Sequence, residues 1–346
     1  MTLRLAIVVP CYNEEEVLPE TNRRLLDLMS ELKLSGSISE DSAVYYVDDG
    51  SADHTWEIIE AFASHDHRVR GIKLARNVGH QSALLAGMFS AEGDAIVTID
   101  ADLQDDVCVI KQMVQQFAAG REIVYGVRKS RSSDTGFKRG TAQFYYKMLH
   151  WMGVDVIYNH ADYRLMGRRA IDALRQFREV NLFLRGIVPL LGFPTASVYY
   201  DRTERFAGVS KYPLRRMLGL AVDGITSFSV VPLRLIAMLG FLVCLLSILM
   251  IVWVAYGRLF MDATVPGWAS SVIPIYFLGG IQLLSIGVLG EYVAKIYLET
   301  KRRPQYFIET IVTKSVNKLS EHGLYAVSGG TTESHLPRTT ERPIGS

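Results

Sequence analysis

The sequence is poor in cysteine and has almost no excess of charge of either sign. Its three cysteines, Cys11, Cys108 and Cys244, stand far apart among 346 residues, which argues against a disulfide framework or a zinc site. Lysine and arginine total 37 and aspartate and glutamate 36, so the formal net charge is +1. A chain without an overall positive field is not expected to bind nucleic acid. A hydrophobic content of 49% excludes global disorder.

Two long segments contain no charged residue at all. They run from Leu235 to Tyr256 and from Ala263 to Gly290, and each exceeds the roughly 20 apolar residues that a helix needs to cross a bilayer. Buried helices of a soluble protein are the alternative, but such helices are usually shorter and rarely lack charge for so long. The segments therefore predict two transmembrane helices, at about 235–257 and 270–292.

The flanks of these segments indicate their orientation. The loop between them carries one basic residue, Arg258, close to Asp262. Lysines and arginines are concentrated outside the pair, at Arg202, Arg205, Lys211, Arg215, Arg216 and Arg234 before it and at Lys295, Lys301, Arg302 and Arg303 after it. Since positive charge is retained on the cytoplasmic side, we expect a multi-pass protein of the plasma (inner) membrane with both termini cytoplasmic. The first residues lack the pattern of a cleaved signal peptide.

Residues 3 to about 200 alternate short apolar runs with amphipathic stretches. Strand patterns lie at 3–10, 43–51, 69–75 and 95–102, and helical spacing lies at 17–34, 55–65 and 80–91. This alternation predicts an α/β domain whose mostly parallel sheet is covered on both faces. Ligands of such sheets bind beyond the carboxyl ends of the strands. The polar residues that follow the strands should therefore meet in one crevice, namely Asn13, Glu14, Asp48, Asp49, Arg76, Asn77, Asp100 and Asp102.

Composition divides the chain into five parts. We expect a cytosolic α/β domain (1–210), juxtamembrane amphipathic helices (211–232), a membrane domain (233–298), a cytosolic C-terminal segment (299–314) and a tail (315–346). The stretch from 213 to 228 has one apolar face that suits the membrane surface, and packing on the sheet is an equal alternative. The tail has little apolar content, which predicts disorder.

The sharpest local pattern is Asp100-Ala-Asp102-Leu-Gln104. Alternate residues leaving a strand point the same way, so we expect both carboxylates and the amide oxygen of Gln104 to face one ion. Hard oxygen ligands suit Mg²⁺ or Mn²⁺ held jointly with substrate phosphates. A solvated acidic turn is the alternative.

Three further segments contain charged residues, and each segment has a functional and a structural interpretation. The carboxylates of Asp48-Asp49-Gly50-Ser51 suit the donors of a nucleotide, or the segment is a plain turn that caps a helix. The cations of 126–131 and of 205–211 are what a diphosphate and a lipid phosphate require. Solvated surface charge and the positive-inside bias are the alternatives for these two clusters.

The chain carries an ordered set of motifs that begins with Val9-Pro10-Cys-Tyr12-Asn13-Glu14, Asp48-Asp-Gly-Ser51 and Asp100-Ala-Asp-Leu-Gln104. This set resembles the glycosyltransferases of family 2, which have the GT-A (Rossmann-like) fold. Later motifs, at 162–166, 181–183, 205–211, 224–228, 277–282, 289–292 and 301–304, narrow the likeness. Together they resemble polyprenyl-phosphate glycosyltransferases, the group of bactoprenol glucosyltransferases and dolichol-phosphate mannose synthases.

The resemblance implies a role for each group of residues. The nucleotide pocket would be lined by Pro10, Tyr12, Glu14, Asp49 and Asp100. Asp102 and Gln104 would hold Mg²⁺ or Mn²⁺. Diphosphate or acceptor phosphate would be met by Arg128 and Arg131, and lipid phosphate by Arg205, Ser210 and Lys211. Asp162 would be the base or an orienting group, with a structural salt bridge to Arg164 as its alternative. Relatives of this kind assemble as homotetramers.

The implied reaction is an inverting transfer of a hexose from a UDP-sugar, UDP-glucose above all, to polyprenyl (undecaprenyl) phosphate. Alternative donors are GDP-mannose, UDP-N-acetylglucosamine, UDP-galactose and a UDP-aminoarabinose derivative. A processive polysaccharide synthase would need a Gln-x-x-Arg-Trp motif and more helices, and a haloacid-type phosphatase would need Thr or Val after its Asp-x-Asp. A membrane scaffold that binds nucleotide sugar without catalysis is the non-enzymatic alternative.

Overall fold

A computed structural model of the protein describes residues 2–128, 160–177, 179, 184–201, 231–260 and 268–314. The elements of the first half are β1 (Leu5–Cys11), α1 (Leu18–Leu34), β2 (Ala43–Asp48), α2 (Thr55–His65), β3 (Val69–Leu74), α3 (His80–Ser90), β4 (Ala95–Thr98), α4 (Val109–Ala118) and β5 (Ile123–Arg128). Those that follow are β6 (His160–Gly167), α5 (Arg168–Leu174), α6 (Leu184–Leu190), β7 (Thr195–Tyr200), α7 (Val231–Phe260), α8 (Trp268–Lys301) and β8 (Ile308–Thr313).

All the strands described form one sheet in the order β7-β5-β6-β4-β1-β2-β3-β8. The pairings of β1 with β2 and β4, of β2 with β3 and of β5 with β7 are parallel. Strand β6 runs antiparallel to both of its neighbours, and β8 runs antiparallel to β3. The predicted mostly parallel sheet is confirmed, and the antiparallel strands are additions that the sequence pattern did not indicate.

Helices cover both faces of this sheet, as predicted. Strand β1 divides its side chains between two apolar clusters, with Leu5 and Ile7 on one face and Ala6 and Val8 on the other. Helices α1, α2 and α4 pack on the first face, and α3, α5 and α6 on the second. In α1 the leucines at helical spacing are buried, because one stripe of that helix faces the sheet.

One expectation about local geometry is wrong. Strand β4 ends at Thr98, so Asp100 and Asp102 do not alternate along a strand. They belong to a turn in which Leu103 has φ 56°, a left-handed conformation that is unfavourable for a side chain branched beyond Cβ. The two acids are therefore brought together by a turn and not by the pleat of a strand.

The C-terminal helices expose much apolar surface. Phe241 and Trp253 of α7 are 72% and 74% exposed, and Leu283 of α8 is 72% exposed. Among the residues described, one segment meets the length and composition needed to cross a membrane, Phe277–Lys301 within α8, and none of it is buried. Helix α7 contains the first predicted span, yet the existence of two spans stays a prediction.

After α8 the chain returns to the sheet. Strand β8 pairs with β3 along its whole length, Tyr306 just before it is buried, and the Ala75 N–H donates to the Phe307 carbonyl at 3.0 Å. The segment 299–314, which we listed separately from the α/β domain, thus supplies the last strand of its sheet. The predicted stretch at 213–228 and the tail at 315–346 lie outside the described residues.

We predict that Gly87→Ala destabilises the domain by about 1–3 kcal/mol, because an added methyl overpacks the contact between α3 and the sheet. A Cβ at Gly87 would lie 2.8 Å from Val47 Cγ2 and closer still to Val8 Cγ1. Thermal unfolding of the purified protein in detergent measures the effect. Ser90→Ala, at the partly buried end of the same helix, is the control. Equal stability of the two variants would contradict the packing argument.

Candidate active site

The predicted crevice lies at one edge of the sheet. Strands β1, β2 and β4 are neighbours and run in the same direction, so the residues that follow them meet at their carboxyl ends. These include Tyr12, which is 47% exposed, together with Glu14, Asp49 and Asp100, while Pro10 is buried inside β1. Because β6 is antiparallel and Thr98 pairs with Arg164, the first residues of β6 reach the same edge. The convergence expected from the sequence is confirmed.

Reciprocal hydrogen bonds join the loops after β1 and β2. The Asn13 N–H donates to Ser51 Oγ at 3.0 Å, and Asn13 Oδ1 accepts from the Ala52 N–H at 2.8 Å. Nearby, Glu15 Oε2 accepts from the His54 N–H at 3.0 Å. Asn13 has φ 55°, a conformation that asparagine tolerates better than most residues. The two loops therefore form one rigid wall of the crevice.

The two acids at the end of β2 have different surroundings. Asp49 accepts from the Val78 N–H at 2.7 Å and from the Gly79 N–H at 2.9 Å, which fixes the entry into α3. Burial raises the pKa of Asp49, and these two hydrogen bonds oppose the rise. Asp48 is fully buried, burial raises its pKa, and its Oδ2 has no hydrogen-bond partner within the described residues.

The acidic turn after β4 is compact and strained. Asp102 Oδ1 accepts from the Gln104 N–H at 3.2 Å, and Gln104 is 6% exposed. Leu103, between them, is also buried despite its left-handed backbone. Such strain costs roughly 1–3 kcal/mol and persists where the surroundings enforce it, which is common at functional sites.

Negative charge accumulates around Asp100. Burial, with the carboxylates of Asp162, Asp105 and Asp102, raises the pKa of Asp100 to about 6, although His80 opposes the rise. A divalent cation would relieve this repulsion, and the carboxylate and amide oxygens of the turn are hard ligands that suit Mg²⁺ or Mn²⁺. Within the ranges described, however, no group of three or more His, Cys, Asp and Glu side chains is arranged as a complete metal site. An ion bound at this turn would therefore need further ligands from outside these side chains.

Asp162 lies in a cluster of cationic groups. Its Oδ1 is 2.6 Å from Arg164 Nη2 and its Oδ2 is 3.1 Å from Arg185 Nη2 and 3.7 Å from His80 Nε2. Burial opposes ionisation, but His80 and the two guanidinium groups hold the pKa of Asp162 well below its usual range. The carboxylate is therefore a weak proton acceptor, and the salt bridge to Arg164, one of its two predicted roles, is present.

Arg128 pairs with an acid to which the sequence assigned no role. Its Nη2 lies 2.9 Å and 3.2 Å from the two carboxylate oxygens of Asp105, a side chain that is 1% exposed. The Tyr200 hydroxyl donates to the same carboxylate at 2.6 Å. Asp105 and Tyr200 raise the pKa of Arg128 despite its burial. The guanidinium joins the ends of β5 and β7 to the acidic turn, in addition to any contact with phosphate.

Four predicted phosphate-binding residues, Arg131, Arg205, Ser210 and Lys211, lie outside the described residues, so their roles stay predictions. Conversely, we assigned no role from the sequence to Asp105, Arg185 or His80. His80 opens the predicted helix 80–91 directly after a strand and a loop. That position could have indicated a role for His80. We did not assign one because the histidines show no metal-ligand spacing.

The profile of the family described as glycosyl transferase family 2 matches residues 6–175. A Bacillus subtilis protein named "Uncharacterized glycosyltransferase YkoT" is 50% identical over 307 residues, which cover 88% of this chain and 91% of that protein. The chain belongs to glycosyl transferase family 2. Family 2 membership confirms the resemblance inferred from the motifs, and it makes the protein a glycosyltransferase whose crevice lies in a GT-A domain.

Other relatives carry more specific names. The bactoprenol glucosyl transferase of Shigella phage SfX is 39% identical over 309 residues, which cover 89% of this chain and 99% of that protein. Among solved structures, the family 2 domain resembles a mannosyltransferase of Pyrobaculum calidifontis in complex with GDP-Man and Mn²⁺, with a TM-score of 0.46 and 15% identity over 66% of this chain and 64% of that one. That likeness is too distant to say anything about the ligands of this chain.

We predict that Arg128→Met lowers the free energy of unfolding by about 3–5 kcal/mol, because it leaves Asp105 buried without its ion-pair partner. Arg23→Met is the matched control, since Arg23 pairs with Glu20 at 2.7 Å on an exposed helix face, where an ion pair contributes about 1 kcal/mol or less. Thermal unfolding in detergent compares the two variants. A smaller loss for Arg128→Met than for Arg23→Met would contradict the structural role of the buried pair.

Proposed function

We propose that the protein transfers glucose from UDP-glucose to polyprenyl (undecaprenyl) phosphate at the cytoplasmic face of the plasma membrane, with inversion at the anomeric carbon. The observation that carries this proposal is the 39% identity, over nearly the whole of both chains, with bactoprenol glucosyl transferases. The crevice and the exposed apolar helices support it, since the reaction needs a nucleotide-sugar site in a chain that is anchored beside a lipid acceptor.

The chemistry of the acceptor agrees with the surroundings of Asp162. A phosphate monoester has its second ionisation near a pKa of about 6, so the acceptor is already largely an anion at neutral pH. An oxygen of this phosphate attacks C1 of glucose and forms the new bond. UDP leaves from the opposite face with the electron pair of the broken C1–O bond. No strong base is required, and a carboxylate held by Arg164 and Arg185 serves to orient its neighbours.

The proposed donor site uses the crevice residues in separate roles. Asp102, with Gln104, would hold Mg²⁺ or Mn²⁺, which when bound neutralises negative charge on the leaving diphosphate. The nucleotide would lie against the wall formed by the loops after β1 and β2, among Pro10, Tyr12, Glu14, Asp49 and Asp100. Arg128 and Arg131 would approach the diphosphate or the acceptor phosphate.

The lipid side of the proposal rests on the membrane segments. We propose that α7 and α8 both span the bilayer, with the catalytic domain and both termini cytoplasmic and residues 261–267 outside. Arg205, Ser210 and Lys211, which precede the first span, would bind the lipid phosphate. A homotetrameric assembly is carried over from the resemblance alone.

A transfer assay tests the reaction and its metal together. Purified protein is given a short polyprenyl phosphate and, in turn, UDP-glucose, UDP-galactose, UDP-N-acetylglucosamine, a UDP-aminoarabinose derivative and GDP-mannose, with and without EDTA. We expect a glucosyl lipid that EDTA abolishes. Asp102→Asn should lower kcat/KM by roughly 100-fold or more, because an electrophilic contact to the leaving group is lost.

The matched control in this assay is Asp106→Asn. Asp106 is an exposed acid of the same segment, and its Oδ1 accepts from the Cys108 N–H at 2.9 Å, a bond that the asparagine carbonyl keeps. Full turnover by Asp102→Asn, or in EDTA, would contradict the metal assignment. A different sugar on the lipid would correct the donor, and no glycolipid from any donor would refute the proposed function.

Cysteine labelling in cells tests the topology. In a Cys108→Ser background, which removes an exposed thiol, we expect a membrane-impermeant maleimide to label Asp262→Cys in intact cells. Glu309→Cys, on the exposed face of β8, is the matched control and should react only after permeabilisation. If Asp262→Cys also required permeabilisation, the two-span arrangement would be wrong.

A further inference from the structure

His80 lies between two carboxylates of the crevice that come from different strands. Its Nε2 is 3.5 Å from Asp100 Oδ1 and 3.7 Å from Asp162 Oδ2, and its side chain is 41% exposed. Asp100 follows β4, Asp162 belongs to β6, and His80 is the first residue of α3. The imidazole therefore connects the acidic turn to the Asp162 cluster across three elements.

Hydrogen bonds to Asp49 fix the backbone immediately before His80. Gly79, which precedes α3, has φ 92°, and its N–H and that of Val78 both donate to the carboxylate of Asp49. A residue with a side chain would be strained at that φ. The ring of His80 is consequently aimed by a loop that Asp49, at the end of β2, holds in place.

The two carboxylates depend on His80 to different degrees. Asp162 also has Arg164 and Arg185 as partners. Within the described part of the chain, His80 is the one ion-pair partner of Asp100, whose other charged neighbours are acids. Without the imidazole, repulsion from those acids would turn the Asp100 carboxylate away from its present position.

We propose that His80 is a positioning residue that holds the Asp100 carboxylate toward the nucleotide of the donor. This inference rests on the proposed function, because it takes Asp100 as part of the nucleotide site. The uridine of the donor is separated from the breaking bond by the diphosphate, so we take its contacts to be equally strong in the ground state and the transition state. Loss of His80 therefore weakens donor binding and raises KM, while kcat changes little.

The experiment compares His80→Ala, His80→Gln and the control His54→Gln in the full-length protein. His54 precedes α2 at the end of the neighbouring loop, is exposed and makes no side-chain capping bond. UDP binding in the presence of Mg²⁺ is measured by calorimetry. We expect His80→Ala to raise the Kd for UDP about tenfold, the effect of one hydrogen bond to a charged group. His80→Gln, whose amide can still donate, should recover part of it, and His54→Gln should match the wild type.

A double-mutant cycle separates positioning from a general structural effect. In an Asp100→Asn background, the additional change His80→Ala should leave the Kd for UDP nearly unchanged, because the residue through which His80 acts is already altered. The proposal would be overturned if His80→Ala raised the Kd for UDP equally in both backgrounds, or if it lowered kcat at constant KM. If His80→Ala does not fold, the same cycle is run with His80→Asn.

The two proposals fail in distinguishable ways. Binding of UDP needs no lipid acceptor, so a wild-type protein that binds UDP but glycosylates no polyprenyl phosphate would refute the proposed function and leave the role of His80 intact. If the wild-type protein forms the glycolipid and His80→Ala leaves the Kd for UDP unchanged, the role of His80 is refuted and the proposed function stands.

Discussion

The organisation of this site depends on how the protein compensates carboxylates that are crowded at one edge of a sheet. Each acid is compensated by a different means. Backbone N–H groups bind Asp49, a guanidinium and a phenol bind Asp105, and two guanidiniums bind Asp162. Asp100, in the turn between them, has His80 as its ion-pair partner within the described structure. A parallel sheet that ends in such a turn holds fixed negative charge where a cation and its diphosphate would be shared.

The acids at this edge also differ in how completely they are paired. Those whose pairing is complete, Asp105 and Asp162, hold neighbouring elements in register, and an ion pair of this kind is costly to break because the remaining charge stays buried. Asp100, whose charged neighbours other than His80 are acids, lies at the crevice. Acids of the same residue type therefore differ at this edge in how completely their charge is compensated.

Much of the fold could be predicted from local patterns, because the first strands are short apolar runs that are buried and α1 buries leucines at helical spacing. The residues at which strands and helices end were harder to predict. Strand β4 ends at Thr98, before the acids of the predicted strand 95–102, and a turn with Leu103 in a left-handed conformation follows. The pairing direction of β6 and β8 was not predictable, since it depends on distant partners. For the same reason the sequence showed the acids of the site but not the groups that bind them, such as Arg185 and His80.

The position of β8 has a mechanical consequence. The chain leaves the sheet after β7, at one outer edge, and returns as β8 at the opposite outer edge. If α7 and α8 both lie in the bilayer, as proposed, the domain would be tethered at two points, and the backbone ladder at one would restrain pivoting about the other. Covering β3 with β8 also removes an open strand edge there. A two-point tether would keep the mouth of the crevice at a constant height above the lipid headgroups, and a single flexible linker would not.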